Sequence, residues 1–379
     1  MAARAKTGDP MAVYSGHRRV RNFGNGGFIT IRFGRIVTNG ISVTNAGLGA
    51  AIFSPITEFI MNLTCQICSS QSPHKTYCCS EKMFGWGGEF AYFQCGNCGC
   101  LQIAEVPADL GKFYPNNYFS FRPPTVPNQG CKSRLAGIRD LSTITNRGFV
   151  GKLLGRFYPA HDDRIIPLGR VPLRRDSKVL DVGCGNGALL LVLHRAGLRH
   201  FKGIDPFLSG DLEPFPGLHL RKQSLDVVEE KFDVIIFNHV FEHIQDGLKT
   251  LKLCRERLTP RGKVLLRFPT ADSEAWEQYG ENWVQLDAPR HLFLYSRKSV
   301  ELIAAKAGLK IEQWFCDSSA FQFWASELYK RGVPLLDNQQ NPIQPENFFS
   351  KEEMERFDRK AKKLNQDGRG DQVAVILKS

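Results

Sequence analysis

From residue 176 onward, short apolar runs alternate with amphipathic stretches. The runs Val179–Val182, Phe201–Ile204, Leu218–Leu220, Val234–Phe237 and Val264–Phe268 read as strands, with helices over 188–196 and 246–258 between them. Strand and helix in turn predict a parallel sheet with right-handed crossovers and helices on both faces. After Pro269 a polar and aromatic excursion runs to Tyr295, and a helix over 297–307 stops at Gly308. Lys310 to Cys316 reads as a strand, and so does the terminal run Gln372 to Lys378. The segment 319–370 between them, with an apolar helix over 320–330 and a charged one over 350–364, is then an insertion joining an antiparallel pair. Upstream, Leu135, Ile138, Leu141, Phe149, Leu153 and Phe157 recur at helical spacing, which predicts one or two helices packed on the main domain or covering its ligand.

Four regions follow: a basic extension over 1–60 with little stable structure, a cysteine-rich domain over 61–122, a linker and helical segment over 123–175, and the main domain over 176–379. The prolines at 123 and 124 mark the connector. The extension is read either as a transit peptide or, preferably, as residues upstream of a natural start at Met61.

Charge changes this picture little. The net charge is +12, but residues 1–60 hold seven Arg and Lys against Asp9 and Glu58, so part of the excess lies in the extension. A solvated basic surface explains the rest better than a nucleic-acid face. No stretch of eighteen apolar residues occurs, so no membrane partner is expected.

Cysteines do change it. Seven of the eleven lie between Cys65 and Cys100. Clustering of this kind, without a secretion signal, points to metal in a reducing compartment, the cytoplasm, rather than to a disulfide scaffold. Cys65-x-x-Cys68 and Cys95-x-x-Cys98 are two knuckles suited to a tetrahedral zinc site, the second preceded by an alternating aromatic strand. Cys78, Cys79 and Cys100 are possible substitutes in the site, and free thiols in a small core are the alternative to metal.

The main domain opens with Lys178-Val-Leu-Asp-Val-Gly-Cys-Gly-Asn-Gly187, a strand, a tight turn and the start of a helix. Gly183, Gly185 and Gly187 take the positive φ that such a turn needs and keep side chains away from a ligand. The N–H groups opening the helix favour an anionic group. Asp205 follows Gly183 by twenty-two residues, at the end of the second strand, where a carboxylate accepts hydrogen bonds from a ribose diol. The spacing GxGxG, rather than GxGxxG, disfavours a dinucleotide.

The fourth strand runs through Asn238-His239 into Glu242-His243, and Leu258-Thr-Pro-Arg-Gly262 precedes the fifth. With Val179–Gly187, these motifs resemble the class I S-adenosylmethionine-dependent methyltransferase family over roughly 176–318 plus the last strand, although Arg261 replaces the first of the usual glycine pair. The resemblance implies an α/β, Rossmann-like sheet of seven strands, mostly parallel with the last antiparallel, preceded by a small zinc ribbon. It also implies that Gly183, Cys184, Gly185, Asn186 and Gly187 line the methionine portion of S-adenosylmethionine, that Asp181 holds its amino group, and that Asp205 and Pro206 meet the ribose. Asn238 and His239 would face the methyl-donor centre. An acidic residue for adenine is not evident in Gln223-Ser-Leu-Asp226, and Cys184 reads as a packing residue rather than a nucleophile.

The two-knuckle ribbon, Tyr114-Pro115, Tyr118 and Asp287-Ala-Pro-Arg290-His291 are similar to a subset of these enzymes associated with sugar and cell-surface polysaccharide biosynthesis. This implies a sugar or nucleotide-sugar acceptor. His291 is the candidate base, in a polar turn at the mouth of the site and titrating near neutrality, with His239 beside the donor. Arg290 is read either as a partner for an acceptor phosphate or carboxylate or as a surface residue, and His243 as structural. RNA methylation is the second reading, weakened because 65–100 carries only Lys75 and Lys82 against Glu81 and Glu89. A non-catalytic module that retains the fold is the third.

Overall fold

The computed structural model describes residues 63–115, 118–121, 130–160, 163–171, 173–337 and 339–379. The basic extension, the start at Met61 and the proline connector lie outside the described residues.

Eight strands form the main sheet. In spatial order they are β11 (Lys310–Cys316), β12 (Gln372–Lys378), β9 (Leu258–Pro269), β8 (Phe232–Asn238), β4 (Val179–Val182), β5 (Phe201–Ile204), β7 (Leu218–Arg221) and β6 (Leu212–Phe215). The five from β9 to β7 are parallel, β12 runs antiparallel to both its neighbours, and β6 adds an antiparallel edge. The expected seven strands are all present, and β6 is the addition. Its sequence, Leu-Glu-Pro-Phe, lacks an apolar run and becomes a strand only by pairing with β7.

Alternation at period two divides these strands between two apolar layers. Leu180, Val182, Ile235, Phe237, Leu266 and Phe268 face one layer. Val179, Val234, Ile236 and Leu265 face the other, beneath Leu189 to Leu193 of the helix Ala188–Arg195. A sheet covered on both faces needs strands that are apolar throughout, which is why these runs stood out in the sequence.

Before the sheet come α1 (Cys131–Thr145) and α2 (Phe149–Phe157), the two helices expected there; α3 (Ala188–Arg195) and α4 (Gly247–Arg257) cross between strands. The helix Arg297–Lys306 ends at Gly308 (φ +73°), and Ser350 with Glu353 forms a capping box at the start of Lys351–Gln366. The polar excursion after Pro269 holds a short helix, Glu274–Tyr279, and buries Trp276, Trp283 and Leu286.

The cysteine-rich segment forms a second sheet of β1 (Lys75–Glu81), β2 (Gly87–Gln94), β3 (Leu101–Ile103) and β10 (Phe293–Leu294). Its last strand comes from beyond β9, pairing Phe293 with Gln102 and Leu294 with Leu101. Cys65, Ile67, Tyr92, Phe93 and Leu101 accordingly share a core with one face of the main sheet. All described residues belong to one compact unit.

Candidate functional site

The carboxyl ends of β4, β5 and β8 converge on the glycine turn. Gly183, Gly185 and Gly187 have φ of +71°, +49° and +75°. All three answer a steric demand as well: a Cβ on Gly183 would lie 2.5 Å from Val240 Cγ2, one on Gly185 2.6 Å from the Ser120 carbonyl oxygen, and one on Gly187 2.9 Å from Leu220 Cδ2. The Asn186 N–H donates to that same oxygen at 2.8 Å, so main chain from 118–121 lies against the turn. The Asn186 side chain caps the start of α3, its Oδ1 accepting from the Ala188 N–H at 3.0 Å.

Asp205 ties the turn to β5. Its Oδ2 accepts from the Gly185 N–H at 3.1 Å and its Oδ1 from the Phe207 N–H at 2.9 Å, and each oxygen retains capacity to accept from a diol. Burial raises its pKa. Pro206, next to it, is exposed. Asp181 is buried at the end of β4 and its pKa is pushed up to about 7, chiefly by burial, with Arg164 opposing and Asp205 reinforcing. Cys184 is buried with its thiol pushed up by desolvation, and its Sγ lies 2.9 Å from where a Cβ on Gly203 would stand. It packs between turn and strand.

At the end of β8, Asn238 Oδ1 accepts from Arg267 Nη1 at 3.2 Å, and the His239 N–H donates to the Arg267 carbonyl at 2.8 Å. Arg267 itself is buried, and Asp163 and Asp317 each pair with it at 2.6 Å. His239 adopts φ +56° and places Nδ1 3.4 Å from Glu242 Oε1. Glu242 is wholly buried, and neither of its oxygens has a hydrogen-bond partner among the described residues. Burial pushes its pKa up, but His239, His243 and His291 together more than offset this and hold the carboxyl below its ordinary range.

His291 departs from its expected setting. It is buried, not at the mouth of the site, and desolvation with the adjacent His243 pushes its pKa down to about 4, so it is neutral across the physiological range. Its Nδ1 lies 2.7 Å from the Gln285 carbonyl, an acceptor, which fixes the proton on Nδ1 and leaves the Nε2 lone pair free. That Nε2 lies 3.9 Å from both Glu242 Oε1 and Asp287 Oδ2. His243, expected to be structural, has its ring 4.8 Å from that of His291. Its Nδ1 is 2.8 Å from the Arg290 carbonyl and 3.2 Å from the Tyr114 hydroxyl.

Arg290 fits neither of its two expected roles. It is wholly buried: Nε and Nη2 grip Asp287 at 2.9 and 2.6 Å, Nη2 also pairs with Glu81 at 2.8 Å, and Nη1 reaches the Phe113 carbonyl at 3.3 Å. It thereby joins the cysteine-rich sheet to the turn carrying His291, and the Tyr92 hydroxyl donates to the His291 carbonyl at 2.8 Å. Glu242, His243, Arg267 and Tyr114 are the site residues the sequence reading did not select. The Glu-His pair at 242–243 was the available signal.

Cys65, Cys68, Cys95 and Cys98 bring their Sγ atoms within 4.8 Å of one another, and all are free thiols. The Cys65–Cys98 and Cys68–Cys95 pairs are 3.5 and 3.6 Å apart, against the ~3.8 Å of a tetrahedron with metal–sulfur bonds of about 2.3 Å. Each knuckle turns through a positive-φ residue after its second cysteine, Ser69 (+59°) and Gly99 (+77°). Gln102 Nε2 donates to Cys65 Sγ at 3.2 Å. This closed set of four thiols fits a structural zinc.

The methyltransferase-domain family matches residues 156–313. A ubiquinone biosynthesis O-methyltransferase of Histophilus somni is 33% identical over 118 residues, 27% of this chain and 48% of that protein. Another, from Pectobacterium atrosepticum, is 27% identical over 141 residues, 33% of this chain and 57% of its own. The chain thus spans about half the length of these curated relatives. A solved S-adenosylmethionine-dependent methyltransferase from Archaeoglobus fulgidus aligns at 19% identity with a TM-score of 0.36, covering 61% of this chain and all of that one. The methyltransferase-domain match thus lies on the sheet and the glycine turn that the motifs predicted.

Proposed function

We propose that the protein transfers the methyl group of S-adenosylmethionine to a small-molecule acceptor, a sugar or nucleotide sugar, with His291 as general base. The observation that carries this reading is the buried imidazole of His291, its Nδ1 pinned to Gln285 and its Nε2 turned toward Glu242. That cluster adjoins the glycine turn, because Val240, two residues before Glu242, packs on Gly183.

S-adenosylmethionine, when bound, supplies a methyl carbon on a positively charged sulfur. Asp181 pairs with its amino group and Asp205 accepts from its ribose, while the side-chain-free turn lets the main chain approach. Asn238 and His239 border the reacting centre. Displacement at carbon is favoured mainly by alignment, and a base is needed where the acceptor atom carries a proton. His291 Nε2 takes that proton as the new bond to the methyl carbon forms and the carbon–sulfur bond breaks. The resulting imidazolium is stabilised by the negative charges of Glu242 and Asp287, each 3.9 Å from Nε2, while the Gln285 carbonyl accepts from Nδ1–H. The relatives are O-methyltransferases, which favours oxygen as the accepting atom.

Zinc in the four-cysteine set would act structurally, fixing the hairpin whose Glu81 holds Arg290. An RNA-gripping role for the hairpin is disfavoured, since Lys82 is engaged by the Glu281 carbonyl and Asn282.

Calorimetry with S-adenosylmethionine on wild type and Asp205→Ala tests the donor site, and absent binding in the wild type would leave only a non-catalytic module. Mass spectrometry of products from a panel of nucleotide sugars and phenols tests the acceptor; methylation confined to phenols would overturn the sugar assignment. Less than about half an equivalent of zinc, unchanged in Cys95→Ser, would refute the metal.

A further inference from the structure

The hairpin of α1 and α2 is built inside out. On the face of α2 that packs against α1 stands Gly151, where an added Cβ would lie 2.4 Å from Ser142 Cβ and 2.5 Å from the Ile138 carbonyl oxygen. Gly155, one turn on, faces the Arg139 side chain. The large apolar residues of the same helix point the other way: Phe149 is 81% exposed, Val150 60%, Leu153 47% and Phe157 68%, and Tyr158 just beyond is 70% exposed. At helical spacing, Phe149, Val150, Leu153 and Phe157 fall within an arc of about 100°. Leu135 and Ile138 of α1 are half exposed as well. An ordinary surface helix turns such residues to the core, and a contiguous exposed patch of them marks an interaction site.

Charge identifies the partner. Residues 130–158 carry Lys132, Arg134, Arg139, Arg147, Lys152 and Arg156 against one carboxylate, Asp140. Asp140 is buried and already held by Arg139 and Arg195. No carboxylate among the described residues pairs with the other five cations, and Lys152 and Arg156 lie along one edge of the apolar arc. A second copy of the chain would bring an equally basic face against this one, and the extension over 1–60 is basic too. Nucleic acid would meet the cations but leave Val150 and Leu153 in water. An anionic bilayer meets both, with phosphate headgroups for the cations and the acyl boundary for the aromatic and aliphatic side chains. No described helix is long and apolar enough to cross a membrane, so the contact is with its surface.

We propose that the α1–α2 hairpin docks the protein on an anionic bilayer surface, with Phe149, Val150, Leu153 and Phe157 entering the headgroup–acyl boundary and Arg147, Lys152 and Arg156 on the headgroups. This does not depend on the methyl-transfer chemistry.

The test is flotation of the full chain with phosphatidylcholine vesicles, with and without about one-third phosphatidylserine, a fraction at which juxtamembrane basic residues bind measurably. Wild type is expected to float with the anionic vesicles, and at least tenfold less with neutral ones. Phe149→Ser combined with Phe157→Ser, and separately Lys152→Glu combined with Arg156→Glu, are each expected to reduce partitioning at least tenfold while leaving the thermal midpoint and donor binding unchanged. Because these side chains are exposed, the variants fold, and unchanged midpoints verify it. Equal flotation of wild type and both variants overturns the proposal, as does absence of flotation. So does concentration-dependent dimerisation in sedimentation that the phenylalanine variant abolishes, or displacement from vesicles by single-stranded RNA at stoichiometric amounts.

Discussion

The glycine turn after β4 and the histidine–carboxylate cluster after β8 lie at the carboxyl end of one sheet, yet they are assembled in opposite ways. The turn draws its geometry mainly from consecutive residues, Asp181 to Gly187, with Asp205, Ser120 and Val240 as distant supports. The cluster joins Glu81, Tyr92, Tyr114, Glu242, His243 and the turn from Asp287 to His291, positions far apart in the chain. A local site is vulnerable to backbone strain. An assembled one is vulnerable to the loss of any partner that leaves a buried charge unmatched.

The largest effect is expected where that difference is sharpest. Arg290→Met strands Glu81 and Asp287 without their cation, and breaking a buried pair in this way costs about 3–5 kcal/mol of stability. Denaturant unfolding measures it, and adding Glu81→Met should restore part of the loss. A cost below about 1 kcal/mol would mean that this bridge does not hold the cluster together.

His291→Gln comes next, with kcat expected to fall about 100-fold while the affinity for S-adenosylmethionine is unchanged. The pH profile carries an independent sign. A histidine whose pKa is held near 4 is neutral above that value, so its contribution to kcat stays flat from pH 8 to 5 and falls only as pH drops toward 4. A limb near 6.5 on the acidic side would show that an ordinary, solvated histidine does the work instead.

The turn should respond more mildly, through strain. Gly185→Ala meets both φ +49° and the Ser120 carbonyl, and about 2 kcal/mol of lost stability is expected. Gly197→Ala, with φ +97° and open space around it, gives the control in which strain acts alone. Equal losses in the two would show that the contact with Ser120 contributes nothing.

The smallest effect is graded by pH. Asp181 holds its proton up to about pH 7 in the free protein, and pairing with a cationic amino group requires its ionised form. Donor affinity should therefore be full above pH 7 and fall about tenfold for each pH unit below, with a proton released on binding. Calorimetry in buffers of different ionisation enthalpy reads that proton directly. Affinity independent of pH from 5 to 8 would remove Asp181 from the donor site.

Legibility followed the same division. Apolar runs located the central strands because their partners on either side are supplied by any sheet buried on both faces. Positive φ at three alternate positions announces itself as glycine. By contrast, Lys75–Glu81 and Leu212–Phe215 have no such pattern and are strands only through pairing. The packing of His243 on His291 is hidden from the sequence for a related reason. Val240 and Ile244 flank a single 3-10 turn, Phe241–His243, rather than an α-helix, so the ring comes back toward His291.

By itself the sequence determined the sheet, the glycine turn, Asp205 at its distance and the two cysteine knuckles, because each depends on the periodicity or backbone freedom of neighbouring residues. Only the tertiary structure decided that Arg290 is an internal strut, that His291 is buried and neutral, and that the apolar face of α2 points outward. Desolvation and ion pairing are set by what arrives from elsewhere in the chain, and a helical spacing of Phe149, Leu153 and Phe157 is the same whether the core or the solvent lies beneath it.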